Sequence, residues 1–266
     1  MKYEYDGSFP GFLCACAELL NEQILPFPGN TLQQDSSVVS QDEEPSLFEE
    51  RFPVPRDDER AARLWRRLEK RTGRTALRTI VEAYLSDFPE KDNCIAIMLI
   101  RLWREGPSTL QDLSSVEGIG VEKAARRSRE EGHQFCGLLR FCELADGSLY
   151  GTIKPTCDIL LLIADHFSER FNAYSFAIYD EGRQKALVHP CGGPWTITEH
   201  FLITDHRAPL LSPRAEQGLP VSEQEREIQT FWRLYFDTIA IEERKNEKLQ
   251  KNKMPKKYWN NLIEKS

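Results

Sequence analysis

The spacing of apolar residues changes in character near the middle of this 266-residue chain. Over residues 56–132, apolar side chains recur at intervals of three and four, which is the period of an amphipathic helix. Over residues 133–203 they fall in short runs separated by turn residues such as Asp146-Gly147, which is typical of strands. Because helices and strands segregate along the chain instead of alternating, the sequence predicts an α+β fold.

Composition divides the chain further. We predict that residues 1–25 form a strand and a helix of the main domain. We predict a loosely packed acidic linker or loop over residues 26–55, because the stretch 28–50 holds six acidic residues and no basic one. We predict a helical subdomain over residues 56–132, and an α+β core with a basic C-terminal tail over residues 133–266. We expect the helical layer to pack beside a small mixed or antiparallel sheet with supporting helices.

The second half carries the clearest pattern of individual elements. Strands are predicted over 133–144, 149–153, 174–180, 184–189 and 195–203, with a helix over 157–171 between the second and the third. The last helix begins at a capping box formed by Ser222 and Glu225. Its apolar stripe, which we expect to dock on a core, consists of Ile228, Phe231, Trp232, Tyr235, Phe236 and Ile239.

Composition argues against a membrane protein. The longest apolar run, residues 94–100, has seven residues, far fewer than the ~20 that a helix needs to span a bilayer. Near the N-terminus, Glu4 and Asp6 stand where a signal peptide carries basic residues.

The chain has seven cysteines, an odd number, and no C-x-x-C pair, which is typical of reduced thiols. We therefore expect a soluble, cytoplasmic protein with no membrane partner.

Common motifs of enzyme chemistry are missing from the sequence. It contains no G-x-S-x-G, P-loop, dinucleotide fingerprint or H-E-x-x-H. His133 and Cys136 have a spacing seen in metal sites, but in a strand over 133–144 their side chains would point to opposite faces. We therefore predict no metal site and no cofactor, and we leave open both the catalytic residues and whether the protein is an enzyme.

Charge is distributed unevenly along the chain. The net charge of −7, taken alone, argues against nucleic-acid binding. Residues 244–259, however, hold seven basic residues and one acidic residue, with Tyr258 and Trp259 interleaved. That composition suits phosphate contacts and base stacking, and the alternative is a solvated extension. Residues 56–78 hold nine basic and four acidic residues and predict either a solvated helix face or a face that contacts phosphates.

The stretch Gly118-Ile119-Gly120 resembles the hairpin of helix-hairpin-helix proteins that bind DNA. Such a hairpin offers backbone N–H groups to a phosphate at a helix N-terminus. The alternative interpretation is the simple start of a helix, and the sequence leaves both open.

Six segments stand out in order along the chain, namely Tyr5–Phe12, His133–Phe141, His166–Phe171, Ile178–Arg183, Trp232–Gln250 and Met254–Trp259. Together they resemble the DUF4130 family, which is linked to radical-SAM proteins and to DNA metabolism. The resemblance implies a protein partner, either a radical-SAM protein or a uracil-DNA-glycosylase-like domain to which some members are fused. It supplies no demonstrated reaction.

The residue types in these segments suit the recognition of nucleic acid, because His, Arg, Asn, Lys and Tyr bind phosphates and base edges. We predict a nucleic-acid-binding set that consists of His133, Arg140, His166, Arg170, Arg183, Arg244, Asn246, Lys248, Lys253, Lys256, Lys257, Tyr258 and Trp259. We further expect its four arginines to gather with the two histidines around one electropositive cleft.

The resulting hypothesis is a nucleic-acid-associated accessory protein in DNA repair or modification, which acts with a radical-SAM or glycosylase partner. Two alternatives stay open at this point. One is an enzyme that acts on a nucleotide or a modified base, with His133, Arg140 and His166 in its site. The other is a protein-interaction scaffold whose basic tail binds an acidic partner.

The basic tail can be tested by substitution. Replacing Lys253, Lys256 and Lys257 together with Gln should leave folding intact, because Met254, Tyr258 and Trp259 keep their packing. It should weaken DNA or RNA binding for all sequences alike. The salt dependence should flatten by up to ~0.9 per lost phosphate contact on a duplex, or ~0.7 on a single strand. Affinity titrations across a salt series measure both effects, and an unchanged affinity and slope would remove the tail from the binding site.

Overall fold

The computed structural model describes residues 1–24, 36–46, 49–112, 114–199, 221–239, 246–256, 259 and 262. The chain divides into two compact units, residues 1–128 and residues 129–266. Helices and two small sheets confirm the α+β fold class. The N-terminal strand and helix fall in the first unit with the helices.

The first unit contains a three-stranded parallel sheet. Its central strand is β1 (Lys2–Tyr5), flanked by β2 (Ser37–Ser40) and β3 (Arg51–Pro53). The prediction of a loop over residues 26–55 is therefore wrong for these two strands. Each pairs with a strand far away in sequence, so neither carries the local turn signal that marks a hairpin.

Residues 28–50 were expected to pack loosely, and β2 contradicts this over its length. Val38 and Val39 are each only 2% exposed. The backbone N–H of Val38 also donates to Asn93 Oδ1 at 2.9 Å. Two adjacent β-branched residues thus form a buried strand among acidic neighbours. Residues 25–35 and 47–48 lie outside the described residues.

Helices form the rest of the first unit's core. They are α1 (Phe9–Ile24), α2 (Asp58–Thr72), α3 (Arg74–Tyr84) and α4 (Lys91–Glu105), followed by a 3₁₀ turn over Pro107–Gln111. Ile95, Met98 and Leu99 of α4 are fully buried, because this helix is apolar on nearly all sides. Asp57 caps α2 by accepting a hydrogen bond from the Arg60 N–H at 2.9 Å.

Helix α5 (Val116–Leu138) runs through residues that the sequence analysis assigned to a strand. The predicted strand over 133–144 is thus wrong, and only a short strand, β4 (Cys142–Glu143), follows the helix. Phe135 and Leu139, one helical turn apart, are buried. Gly132 does not end the helix, and a Cβ there would make only an ordinary van der Waals contact with Leu162 Cβ, at 3.5 Å.

The stretch Gly118-Ile119-Gly120 lies within the first turns of α5 and does not form a hairpin. Ser115 Oγ accepts a hydrogen bond from the Gly118 N–H at 3.1 Å, as expected at a helix start. A Cβ at Gly118 would overlap the carbonyl oxygen of Asp112, and one at Gly120 would lie 2.5 Å from Cys94 Sγ. Both glycines therefore serve packing.

The second unit is built on a five-stranded mixed sheet in the order β4-β5-β6-β7-β8. Its further elements are β5 (Leu149–Ile153), α6 (Leu160–Arg170), β6 (Phe176–Asp180), β7 (Lys185–His189), β8 (Thr196–Thr198), α7 (Glu223–Ile239) and α8 (Glu247–Lys253). Strands β5 and β6 are parallel and α6 connects them, while every other pair is antiparallel. Ile153, Ile163 and Leu187 are fully buried between the sheet and α6.

Helix α7 begins as predicted, with Ser222 Oγ accepting a hydrogen bond from the Glu225 N–H at 3.1 Å. Its apolar stripe, however, does not dock on a core as predicted. Phe231 is 69% exposed, Tyr235 55% and Ile228 53%. Helical spacing of apolar residues establishes an amphipathic helix, but it does not identify the surface that covers the apolar face.

The packing role of Gly118 can be tested within α5. Gly118→Ala should lower the free energy of unfolding by about 1–3 kcal/mol, because its Cβ meets backbone. This loss occurs although Ala is a better helix former than Gly by up to ~1 kcal/mol. Gly137→Ala is the matched control, because nothing lies within 4 Å of its Cβ, and it should stabilise the protein. Urea denaturation compares the two, and stabilisation by both variants would contradict the packing role.

Candidate functional site

His133 and Arg140, from the central family segment, lie at the C-terminal end of α5. His133 is exposed on the helix. Arg140 follows the helix, and its Nη1 donates to the carbonyl oxygens of Gly137 at 3.2 Å and Leu139 at 3.3 Å. The Gly137 carbonyl lies in the last turn of α5, where carbonyls lack partners within the helix, so Arg140 acts in part as a C-cap.

His166 and Arg170 lie one turn apart on α6 and both are exposed. The His166 ring meets the Phe167 ring edge to face, with centroids 4.9 Å apart. The guanidinium carbon of Arg170 lies 5.7 Å from the centroid of Phe171, a distance at which cations and aromatic rings attract. This pair presents hydrogen-bond donors to solvent, as an anion site requires.

Arg183 contacts groups of its own unit. Its guanidinium binds Asp180 Oδ2 at 3.1 Å and the carbonyl oxygens of Pro155 at 3.3 Å and Thr156 at 2.5 Å. Asp180 is fully buried, and burial raises the pKa of its carboxyl although Arg183 lowers it. Arg183 thus offsets part of the cost of a buried carboxylate and has a structural role.

A second buried carboxylate, which the sequence analysis missed, binds the residues that follow Pro155. Glu131 of α5 is 5% exposed. Its carboxylate accepts hydrogen bonds from the Thr156 N–H at 3.1 Å, from Thr156 Oγ1 at 2.9 Å and from the Cys157 N–H at 2.7 Å. A lone Glu amid charged neighbours carries no sequence signal for this role, because the partners are backbone groups.

The basic tail is described only in part. Asn246 is the N-cap of α8, where its Oδ1 accepts from the Leu249 N–H at 2.9 Å. Lys248 and Lys256 are exposed, and Trp259 is half-buried with Nε1 donating to the Met254 carbonyl oxygen at 2.9 Å. The side chain of Lys253, and the whole of Arg244, Lys257 and Tyr258, lie outside the described residues.

The arginines of the family segments contact different partners. Arg140 binds the end of α5, Arg170 stacks on Phe171, and Arg183 binds Asp180 and the 155–156 backbone. Arg183 already uses its guanidinium within the fold, so it is not available to an anion in the way that Arg170 is. The single cleft around these residues stays a prediction.

Half-buried thiols in this protein are held in the protonated form. Burial raises the pKa of Cys142 to about 11, and Glu225 adds to the shift. Burial also raises the pKa of Cys94 and of Cys136. A nucleophilic cysteine needs the opposite shift. Among the described residues, no cluster of three His, Cys, Asp or Glu side chains is placed to hold a metal ion.

The exposed face of α2 carries a row of cations that we call the α2 ridge, namely Arg63, Arg66, Arg67 and Lys70. Positions i, i+3, i+4 and i+7 share one face of a helix. Arg63 binds Glu59 at 3.4 Å, and Arg66 donates to the Ala62 carbonyl oxygen at 3.2 Å. Within the described part of the chain, Arg67 and Lys70 have no carboxylate partner. Nearby, the Arg71 guanidinium lies 5.5 Å from the Trp103 ring.

Removing Arg183 should lower the free energy of unfolding, because the buried Asp180 carboxylate then loses its cationic partner. In Arg183→Gln the pKa of Asp180 in the folded state rises further above its value in the unfolded state. The folded protein therefore holds the proton of Asp180 more tightly than the unfolded chain does. As the pH rises from the unfolded-state pKa to the folded-state pKa of this carboxyl, the free energy of unfolding falls. The variant should be less stable than the wild type by about 2 kcal/mol at pH 8, and the deficit should shrink towards pH 4.

Thermal unfolding over this pH range provides the measurement. The double variant Asp180→Asn/Arg183→Gln is the control, since it lacks the titrating carboxyl and should lose the pH dependence of the deficit. A deficit that is the same at every pH would show that Arg183 stabilises the protein by packing alone.

Comparison with known proteins identifies one family. The family described as a domain of unknown function, DUF4130, matches residues 89–264, a range that contains α4, α5 and every element of the second unit. None of the curated proteins and none of the solved structures matches the chain. None of the described helices is long and apolar enough to cross a bilayer. The match covers well over half of the chain, and the protein belongs to the DUF4130 family.

Proposed function

We propose that the protein is a nucleic-acid-associated accessory protein in DNA repair or modification. The observation that carries this proposal is the α2 ridge. Its cations stand together although the whole chain has a net charge of −7, so the positive charge is local. Local cationic surfaces of this kind bind phosphates without reading sequence.

The geometry of the ridge fits a phosphate backbone. From Arg63 to Lys70 the helix advances by seven residue steps, which span about 10 Å at 1.5 Å per residue. Phosphates of one strand of a duplex recur about every 3.4 Å along its axis. The ridge is therefore long enough to follow about three phosphates.

The ridge is also held rigidly. On the opposite face of α2, Ala61 and Leu68 are buried in the core of the first unit. Asp57 caps the N-terminus of the helix, and Gly73, with φ of 82°, separates its end from α3. A surface whose backbone is fixed loses less conformational entropy on binding.

An accessory role requires a partner protein, and the resemblance of the family segments supplies the class: a radical-SAM protein or a uracil-DNA-glycosylase-like protein. The exposed apolar residues of α7 support association with another protein, because a row of large apolar side chains is costly to leave in water. All seven cysteines lie in the described part of the chain and none forms a disulfide, which supports a cytoplasmic location.

Charge neutralisation tests the α2 ridge. The variant Arg66→Gln/Arg67→Gln/Lys70→Gln should fold normally, because these side chains are exposed. It should lose about tenfold or more in affinity for duplex DNA near 0.1 M salt. The slope of log affinity against log salt should flatten by up to about 2.7, at ~0.9 for each lost contact. Fluorescence anisotropy with a labelled oligonucleotide measures both quantities.

A control of equal charge change separates the ridge from the net charge. Lys2→Gln/Arg127→Gln/Lys185→Gln also removes three cations, but these pair with Glu49, Asp87 and Asp158 respectively. Binding by this control should change little. Equal losses in the two variants, or none in the ridge variant, would refute the role of the ridge.

A further inference from the structure

A shallow depression of about 440 Å³ lies in the second unit, between the end of α6 and the loop that joins β7 to β8. Its volume falls within the range of small-molecule sites, about 300–1,000 Å³. The residues that matter for its chemistry are Ser168, Glu169, Asn172, His189, Gly193 and Trp195. None of them belongs to the predicted nucleic-acid-binding set.

The rim of the depression is fixed by backbone hydrogen bonds. The Gly192 N–H donates to the Asn172 carbonyl oxygen at 2.8 Å, which ties the loop to the end of α6. Gly192 has a φ of 66°, a conformation that favours glycine. The Gly193 N–H closes a turn on the Pro190 carbonyl oxygen at 2.9 Å. The shape is thus formed before any ligand binds.

Trp195 provides an aromatic wall. Its Nε1–H donates to Asp165 Oδ1 at 2.9 Å, which fixes the plane of the indole. The side chain is half-buried, so part of its surface stays open. A fixed and partly open indole is a stacking platform for a flat heterocycle, and such stacking accepts any base.

His189 forms part of the floor and is almost completely buried. Its ring stacks on Phe176, with centroids 4.8 Å apart and planes 16° apart. Nδ1 lies 3.2 Å from the Tyr174 carbonyl oxygen, which can only accept, so Nδ1 carries the hydrogen. In the neutral ring Nε2 is then an acceptor.

Two polar side chains of the lining have no partner in the described part of the chain, namely those of Glu169 and Asn172. A carboxylate at the rim repels phosphate but accepts N–H donors, and it can accept two of them side by side. An amide can both donate and accept. The lining therefore favours a neutral ligand whose edge carries adjacent N–H groups.

We propose that this depression binds an unpaired nucleobase stacked on Trp195, and that Glu169 selects guanine. Guanine is the base whose pairing edge carries a ring N–H beside an exocyclic amine, and these two donors fit one carboxylate. The inference rests on the proposed function, because the base would belong to a nucleic acid that the protein binds. The depression itself would bind the base without any contact to phosphate.

Isothermal titration with free nucleosides tests the depression independently of the α2 ridge, because nucleosides lack phosphate. The wild-type protein should bind guanosine more tightly than adenosine, cytidine or uridine. Glu169→Gln should weaken guanosine binding about tenfold or more and affect adenosine little. Trp195→Leu should weaken all four nucleosides, whereas Trp195→Phe should retain part of the stacking.

Glu227→Gln is the matched control, because Glu227 is an exposed carboxylate on α7 that does not line the depression. Its guanosine affinity should equal that of the wild type. Equal affinity for the four nucleosides, or no effect of Glu169→Gln, overturns the guanine assignment. A protein that binds oligonucleotides through the ridge but binds no nucleoside overturns the site and leaves the proposed function standing. Nucleoside binding without oligonucleotide binding overturns the proposed function and leaves the site.

Discussion

The carboxylate of Glu131 organises the second unit. It takes two backbone N–H groups and a hydroxyl from Thr156 and Cys157, and thereby joins α5 to the chain that leads into α6. Arg183 binds the carbonyl oxygens of Pro155 and Thr156 in the same segment. One short irregular segment is thus held by a buried anion and a cation, so its N–H and C=O groups are satisfied without regular structure. The position of α6, and of the residues that it carries, follows from this.

Local patterns in the sequence were sufficient for elements whose signals are local. The cap at Ser222, the turn-bounded strands β5 to β7 and the apolar helix α4 follow from residues within a few positions of each other. Strand pairing over long sequence distances gives no local signal, and β2 and β3 pair with β1 across the acidic segment. The end of α5 contains two glycines, a residue type that usually marks the end of a helix.

The candidate sites show the same limit. Exposed cations on α2 could be read from the sequence, because periodicity alone assigns them to one face. The roles of Arg183, Asn246 and Glu131 could not, since their partners are backbone groups that only the fold brings near. The depression beside Trp195 combines α6, β7 and a glycine turn, and no single motif contains it. The two surfaces also differ in sign: the ridge is cationic, whereas the depression holds an acidic side chain at its rim.

The arrangement of the first sheet has a consequence for the order of folding. Strand β1 is synthesised before both of its neighbours, β2 and β3, which are parallel to it and begin at residues 37 and 51. Until then both edges of β1 are open, and open strand edges invite pairing with other chains. Helix α1 follows β1 directly and buries Phe12 and Leu19 in the same core. The sheet therefore closes late, at the rate set by long-range contacts.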